Sequence, residues 1–173
     1  MDLTEVILNE GKVIERDVEV TLESFDYPEG DFPIREKSPL HLRIENLGDR
    51  KLGLSGQMDC TVVIPCGRCL TDVPTQIHID FDREVDMKLS EEERVEALDQ
   101  SDFLHGYNLD VDRLVYGEAF LVWPMKVLCR DDCKGLCSVC GQNLNLKTCS
   151  CDRTVLDPRM AKIRDIFSNF KEV

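Results

Sequence analysis

Leu40-His41-Leu42-Arg43-Ile44, Met58-Asp59-Cys60-Thr61-Val62 and Ile77-His78-Ile79-Asp80-Phe81 each place apolar side chains at every second position. A period of two belongs to a strand with one dry face and one wet face. Val18 to Leu22 reads as a further strand, and Glu5 to Leu8 as a weaker one. Gly48-Asp49 and Pro28-Glu29-Gly30 supply turns. Short alternating strands in succession predict an antiparallel sheet with one solvated face. The same parity sorts single residues. Cys60 shares its face with Met58, Val62 and Ile64, so it reads as a core thiol acting as a small hydrophobe. His41 and His78 have the opposite parity and should face solvent or a partner, while His105 beside Gly106 belongs to a loop.

Helical signals come later. Asp110 can cap a helix carrying Leu114, Val115, Ala119 and Val122, which Trp123-Pro124 stops. Asp157-Pro158 is a second helix start, followed by a stripe of Met160, Ile163, Phe167 and Phe170. The predicted class is α+β: an antiparallel β-rich N-terminal part, sheet or partial barrel, with a few helices and a C-terminal Cys-rich zinc module. Residues 1–108 form the acidic β-rich region. Residues 109–173 hold the helix, the Cys module and a C-terminal helix, packed on the first part as one compact unit. A chain of 173 residues with 42% hydrophobic content can build a core without metal. No run approaches the roughly 18 apolar residues of a membrane span, and the first residues do not resemble a signal peptide. Cytoplasm is the expected compartment. Thiols stay reduced there, which favours metal or redox chemistry over disulfides.

The formal charge of −13 is unevenly spread. Residues 1–124 hold 12 Lys+Arg and 28 Asp+Glu, a balance of −16, whereas residues 125–173 hold 9 and 6, a balance of +3. Such a chain repels phosphates at long range and attracts basic proteins. Glu91-Glu92-Glu93 centres the most acidic stretch, either a solvated connection or a docking surface for a basic protein. Direct RNA contact would have to use Lys126, Arg130, Lys134, Lys147, Arg153 and Arg159.

Eight of the nine cysteines form four close pairs: Cys66-x-x-Cys69, Cys129-x-x-x-Cys133, Cys137-x-x-Cys140 and Cys149-x-Cys151. Tetrahedral Zn²⁺ takes four ligands, and short Cys turns supply them two at a time. Cys137 and Cys140, followed by Gly141, pair with Cys149 and Cys151 across eight residues. Cys66 and Cys69 would then need Cys129 and Cys133, although 59 residues separate Cys69 from Cys129. A second scheme stays open: one site drawn from Cys129 to Cys151, with Cys66 and Cys69 as free thiols. Four-thiolate sites are closed and structural, unlike catalytic zinc sites with an open position. A redox role for Cys66-x-x-Cys69 is the alternative chemistry, although Leu70 to Pro74 reads as a return turn and not as a helix start. No phosphate-cradling glycine loop and no nucleophile elbow is present.

Cys66-Gly-Arg-Cys69-Leu70, Trp123-Pro-Met125, Cys133-Lys-Gly-Leu-Cys137, Cys140-Gly-x-Asn143-Leu-Asn145, Cys149-x-Cys151 and Asp157-Pro-Arg159 together resemble the YceD family, associated with accumulation of large-subunit ribosomal RNA. The resemblance spans roughly residues 55 to 165, with Ser138 standing where family members commonly have proline. It implies a factor in ribosome assembly with no established enzymatic activity and no small-molecule substrate. The implied partners are a basic ribosomal protein or a pre-ribosomal particle.

Overall fold

In the strand Leu40–Gly48 the residues Leu40, Leu42 and Ile44 are buried, while His41 between them is exposed. The computed structural model describes residues 1–88 and 102–151, and extends the same alternation to the two long strands that follow. In chain order the elements are α1 (Thr4–Ile7), β1 (Val13–Val18), β2 (Ser24–Tyr27), β3 (Gly30–Lys37), β4 (Leu40–Gly48), β5 (Lys51–Pro65) and β6 (Asp72–Asp86). A small hairpin, β7 (Leu104–His105) with β8 (Asn108–Leu109), precedes α2 (Val111–Leu121).

The main sheet is antiparallel throughout, and β5 is its spine. β6 pairs along the whole of one edge of β5, from Lys51↔Asp86 to Pro65↔Asp72. The other edge is shared end to end by β4, which reaches His41↔Gln57, and β3, which begins at Lys37↔Cys60. Ser38-Pro39 interrupts these two strands, because proline has no N–H to give to the ladder. β1 pairs with β4 and β2 with β3, so the outermost chain is broken in the same manner. The sheet is therefore a meander of four long runs, two of them interrupted. Irregularities of this kind bend a sheet.

The dry face carries Leu40, Leu42, Ile44, Leu52, Leu54, Met58, Cys60, Val62, Ile77, Ile79 and Phe81 in one core. Cys60 sits there as its parity predicts, 3% exposed. α2 closes this core with Leu114, Val115 and Ala119, and the Asp110 side chain caps it by accepting from Arg113 N at 3.0 Å. Arg83 of β6 turns toward the helix and donates to Glu118 at 2.6 Å. Trp123, just past the helix, packs on Tyr27 with ring centroids 4.7 Å apart and on Phe32 at 5.1 Å. That aromatic contact fixes where the Cys-rich segment begins.

Four sequence expectations are corrected, the first being His105, which ends the short strand β7 opposite Asn108 and is not in a loop. Glu5 to Leu8 is not a strand: residues 4–7 form one helical turn, begun by Asp2 Oδ1 accepting from Thr4 N at 2.8 Å, with Leu3 and Val6 buried. A four-residue apolar run cannot distinguish the two periods. Val18 to Leu22 is also not a strand. β1 ends at Val18, and Thr21 N donates to Asp112 Oδ1 at 2.8 Å, which draws the chain from the sheet toward α2. The return turn lies at Cys66 to Leu70, with β6 already running from Asp72. β2 and β3 were not foreseen, since Pro33 and dense charge mask their pattern. The acidic stretch around Glu91 and the helix expected after Asp157 lie outside the described residues.

Candidate metal centres

Cys66-Gly67-Arg68-Cys69 is the tip of the β5–β6 hairpin. Cys66 N donates to Thr71 O at 2.8 Å and Leu70 N to Cys66 O at 3.0 Å, closing a turn in which Leu70 adopts a left-handed φ of 58°. The tip is gripped by the segment after Trp123. Gly67 N donates to Val127 O at 2.9 Å, Leu136 N to Arg68 O at 3.1 Å, and Arg68 Nη1 to Cys133 O at 2.9 Å. Gly135, at φ 75°, passes so close that a Cβ would stand 3.1 Å from Arg68 O. Only a residue without a side chain permits both the approach and the dihedral.

These contacts bring Cys66, Cys69, Cys129 and Cys133 together, with Cys66 Sγ 3.8 Å from Cys133 Sγ and Cys69 Sγ 3.5 Å from Cys129 Sγ. Cys137, Cys140, Cys149 and Cys151 form a second group, and within each group all four sulfurs lie within 4.8 Å of one another. Four sulfurs at about 2.3 Å from one zinc stand about 3.8 Å apart. Both groups match that scale, and every one of these cysteines is a free thiol. The pairing into 66/69/129/133 and 137/140/149/151 is thus the geometry observed. The scheme that leaves Cys66 and Cys69 apart from the other pairs is not.

The donor set supports a cation on electrostatic grounds. Burial pushes the Cys66 thiol up, but N–H groups of Arg68, Cys129 and Cys69 outweigh it and bring it down to about 6. N–H groups of Cys140 and Val139 likewise lower Cys137 to about 6. Cys129, opposed first by Cys69, is pushed up to about 12, and Cys151, opposed first by Cys140, also to about 12. In each group one thiolate forms readily and another is resisted by its neighbours. A divalent ion removes that resistance by neutralising the shared charge.

The two groups differ in setting. Cys66, Cys69 and Cys133 make a small core of their own with Val73, Leu128 and Leu136. In the second group Cys137 is buried and Cys140 exposed, and Gly141 at φ 72° closes the turn by donating to Cys137 O at 2.9 Å. None of the histidines joins either group. His41 Nδ1 pairs with Asp17 at 2.9 Å and His78 Nδ1 with Asp59 at 2.8 Å on the exposed sheet face.

The model of the family described as large ribosomal RNA subunit accumulation protein YceD matches residues 54–167, which include most of the spine strand and both sulfur groups. The chain belongs to the YceD family. An uncharacterised protein of Mycobacterium leprae is 25% identical over 129 residues, covering 75% of this chain and 58% of that protein. One from Mycobacterium tuberculosis is 27% identical over 131 residues, covering 72% and 59%. The large ribosomal RNA subunit accumulation protein YCED homolog 1, chloroplastic, of Arabidopsis thaliana is 25% identical over 165 residues, covering 80% and 49%. The chain thus spans about half to three fifths of the length of these relatives. No solved structure matches it.

In the sequence Asn143 and Asn145 stand out only as part of the family-like motif, with no role at the sulfurs, and Thr71 does not stand out. Asn145 and Thr71 touch sulfurs of the first group, and Asn143 holds both of them. Asn145 Nδ2 donates to Cys133 Sγ at 3.2 Å, and Thr71 Oγ1 lies 3.3 Å from Cys69 Sγ. The available signal was two asparagines between Cys140 and Cys149.

Proposed function

We propose that this chain is a non-enzymatic zinc-binding factor that supports accumulation of large-subunit ribosomal RNA during ribosome assembly in the cytoplasm. Its zinc would be scaffolding: two closed four-thiolate sites formed by Cys66, Cys69, Cys129 and Cys133, and by Cys137, Cys140, Cys149 and Cys151. The observation that carries this reading is the all-sulfur composition of both groups, which leaves no place for the water or substrate that a catalytic zinc needs. Membership of the YceD family supplies the pathway. No helix among the described residues is long and apolar enough to cross a membrane.

The partner in this reading is a basic ribosomal protein. The exposed side of β6 supports it, with Asp72, Asp80, Asp82 and Glu84 outward in one row. A pre-ribosomal RNA contact would instead use Lys126, Arg130, Lys134 and Lys147, all exposed in the Cys-rich segment. The division between residues 1–108 as the acidic sheet and 109–173 as the metal module belongs to the same proposal. Gradient sedimentation of cell extracts tests it: the protein should travel with large-subunit precursors at physiological salt. Neutralising Asp80, Asp82 and Glu84 should release it if protein contact dominates, and a steep salt dependence marks RNA contact. Sedimentation at the free-protein position, with normal large-subunit RNA in cells lacking it, defeats the reading.

One observation favours the redox alternative, the lowered Cys66 thiol. Against it, Cys66 is fully buried, its turn leads into a strand and not a helix, and two further sulfurs crowd the pair. Thiol titration of metal-replete protein separates the two. Protection of all eight cysteines supports zinc, and rapid labelling of Cys66 and Cys69 supports redox use.

A further inference from the structure

The turn between Cys140 and Cys149 belongs to the second sulfur group, yet its polar side chains serve the first. Asn145 straddles Cys133. Its Oδ1 accepts from Lys134 N at 2.8 Å and from Arg130 Nη2 at 2.8 Å, while its Nδ2 donates to Cys133 Sγ at 3.2 Å. Asn143 holds Asn145 in place: its Oδ1 accepts from Asn145 N and from Asn145 Nδ2, both at 3.0 Å. Asn143 Nδ2 meanwhile reaches Thr71 Oγ1 at 3.3 Å, the hydroxyl beside Cys69 Sγ. The turn is tied to the second group where Cys137 N donates to Gln142 O at 2.9 Å, and to the preceding loop where Leu144 N donates to Gly135 O at 2.9 Å.

From this chain of contacts, we infer that Asn145 is a positioning residue that couples the two sulfur groups, so that metal in Cys137/Cys140/Cys149/Cys151 strengthens metal binding by Cys66/Cys69/Cys129/Cys133. The inference rests on the two-site reading above. Without an ion in the second group nothing ties its four sulfurs to one another, and residues 141–146, which lie between Cys140 and Cys149, lose that anchor. With the ion bound, the turn is fixed and the Asn145 amide is held against Cys133. An N–H donor to a ligating sulfur fixes its orientation and stabilises the thiolate, and partners of this kind are worth about 10–100-fold in metal affinity.

The test is a cobalt titration of the metal-free full chain, with a competing chelator to separate the sites. Asn145→Asp keeps oxygens facing Lys134 N and Arg130 but has no N–H to give. It should weaken the first group about 10–100-fold, leave the second group's affinity unchanged when the first is empty, as reciprocal coupling requires, and move the sulfur-to-cobalt charge-transfer band to lower energy. Asn145→Ala should weaken the first group similarly, and serves if the Asp variant folds poorly. The pair Cys149→Ser with Cys151→Ser, which empties the second group, should weaken the first to a comparable degree. Wild-type affinity at the first group in these variants, with two ions still bound by the parent, overturns the coupling alone. A parent that binds fewer than two ions overturns the two-site reading and the coupling with it.

Discussion

Gly56 lies opposite Phe81 in the β5–β6 ladder, and a Cβ there would meet the ring at 2.7 Å and the carbonyl of His41 at 3.2 Å. The ring can shift only by disturbing a packed core, and the carbonyl belongs to the neighbouring strand. Gly56→Ala should therefore cost about 1–3 kcal/mol, read as a lower urea midpoint with an unchanged slope. At the same scale, metal held by the proposed sulfur sites should be retained in a pH-dependent way. Cys66 and Cys137 have thiols lowered to about 6, so they stay ionised at neutral pH and take up protons as pH falls through about 6. A lowered pKa stabilises the folded form above the ordinary thiol range, and that contribution disappears on the acid side. Cys129 and Cys151, held near 12, must release protons when an ion enters. Both effects have one sign: affinity rises with pH, and dialysis at about pH 5 should strip metal that survives dialysis at about pH 8. Equal retention at both would contradict it. The inward place of Cys60 and the outward place of His41 and His78 were legible from parity alone. The roles of Asn145 and Thr71 were not, because a side-chain contact to a sulfur, 12 residues away for Asn145 and two for Thr71, leaves no periodic trace.

At the scale of elements, α2 links the sheet to the Cys-rich segment, and Asp110 begins it. Asp110→Ala removes the acceptor for Arg113 N and should cost about 1 kcal/mol, visible as a lower thermal midpoint without loss of bound metal. The helix was readable because cap, apolar spacing and stop all agreed between Asp110 and Pro124. The β5–β6 hairpin was readable in part. Its alternation was plain, but the turn had been placed after Cys69, when the sulfur-bearing residues are the turn themselves. β2 and β3 escaped because the apolar positions Phe25, Tyr27 and Phe32 are few. They become a strand pair only by packing on Tyr116 and Trp123.

Across the whole molecule, two bodies of apolar contact are held by different means. The sheet and α2 share one large core, whereas Cys66, Cys69 and Cys133 gather only Val73, Leu128 and Leu136. Burying an aliphatic or aromatic side chain contributes roughly 1.5–3 kcal/mol, so the sheet has ample stabilisation of its own and the small cluster does not. Cys137→Ser should therefore unfold the metal module while leaving β4, β5 and β6 protected in hydrogen exchange. Loss of protection throughout the sheet would show that the division proposed at residue 108 is wrong. Elemental analysis of the parent should find two zinc ions per chain.

The sequence by itself determined the strand spine, the faces of Cys60, His41 and His78, the capped helix and the identity of eight candidate sulfur ligands. Each of these follows from local chemistry: a period, a cap or a short spacing. The tertiary structure decided which cysteines meet. The hairpin tip and the segment after Trp123 are far apart along the chain, and backbone hydrogen bonds from Gly67 and Leu136 bring them together. It also decided that the Asn143–Asn145 turn reaches across from one sulfur group to the other, since that contact depends on how two loops stack and not on any residue's own preference.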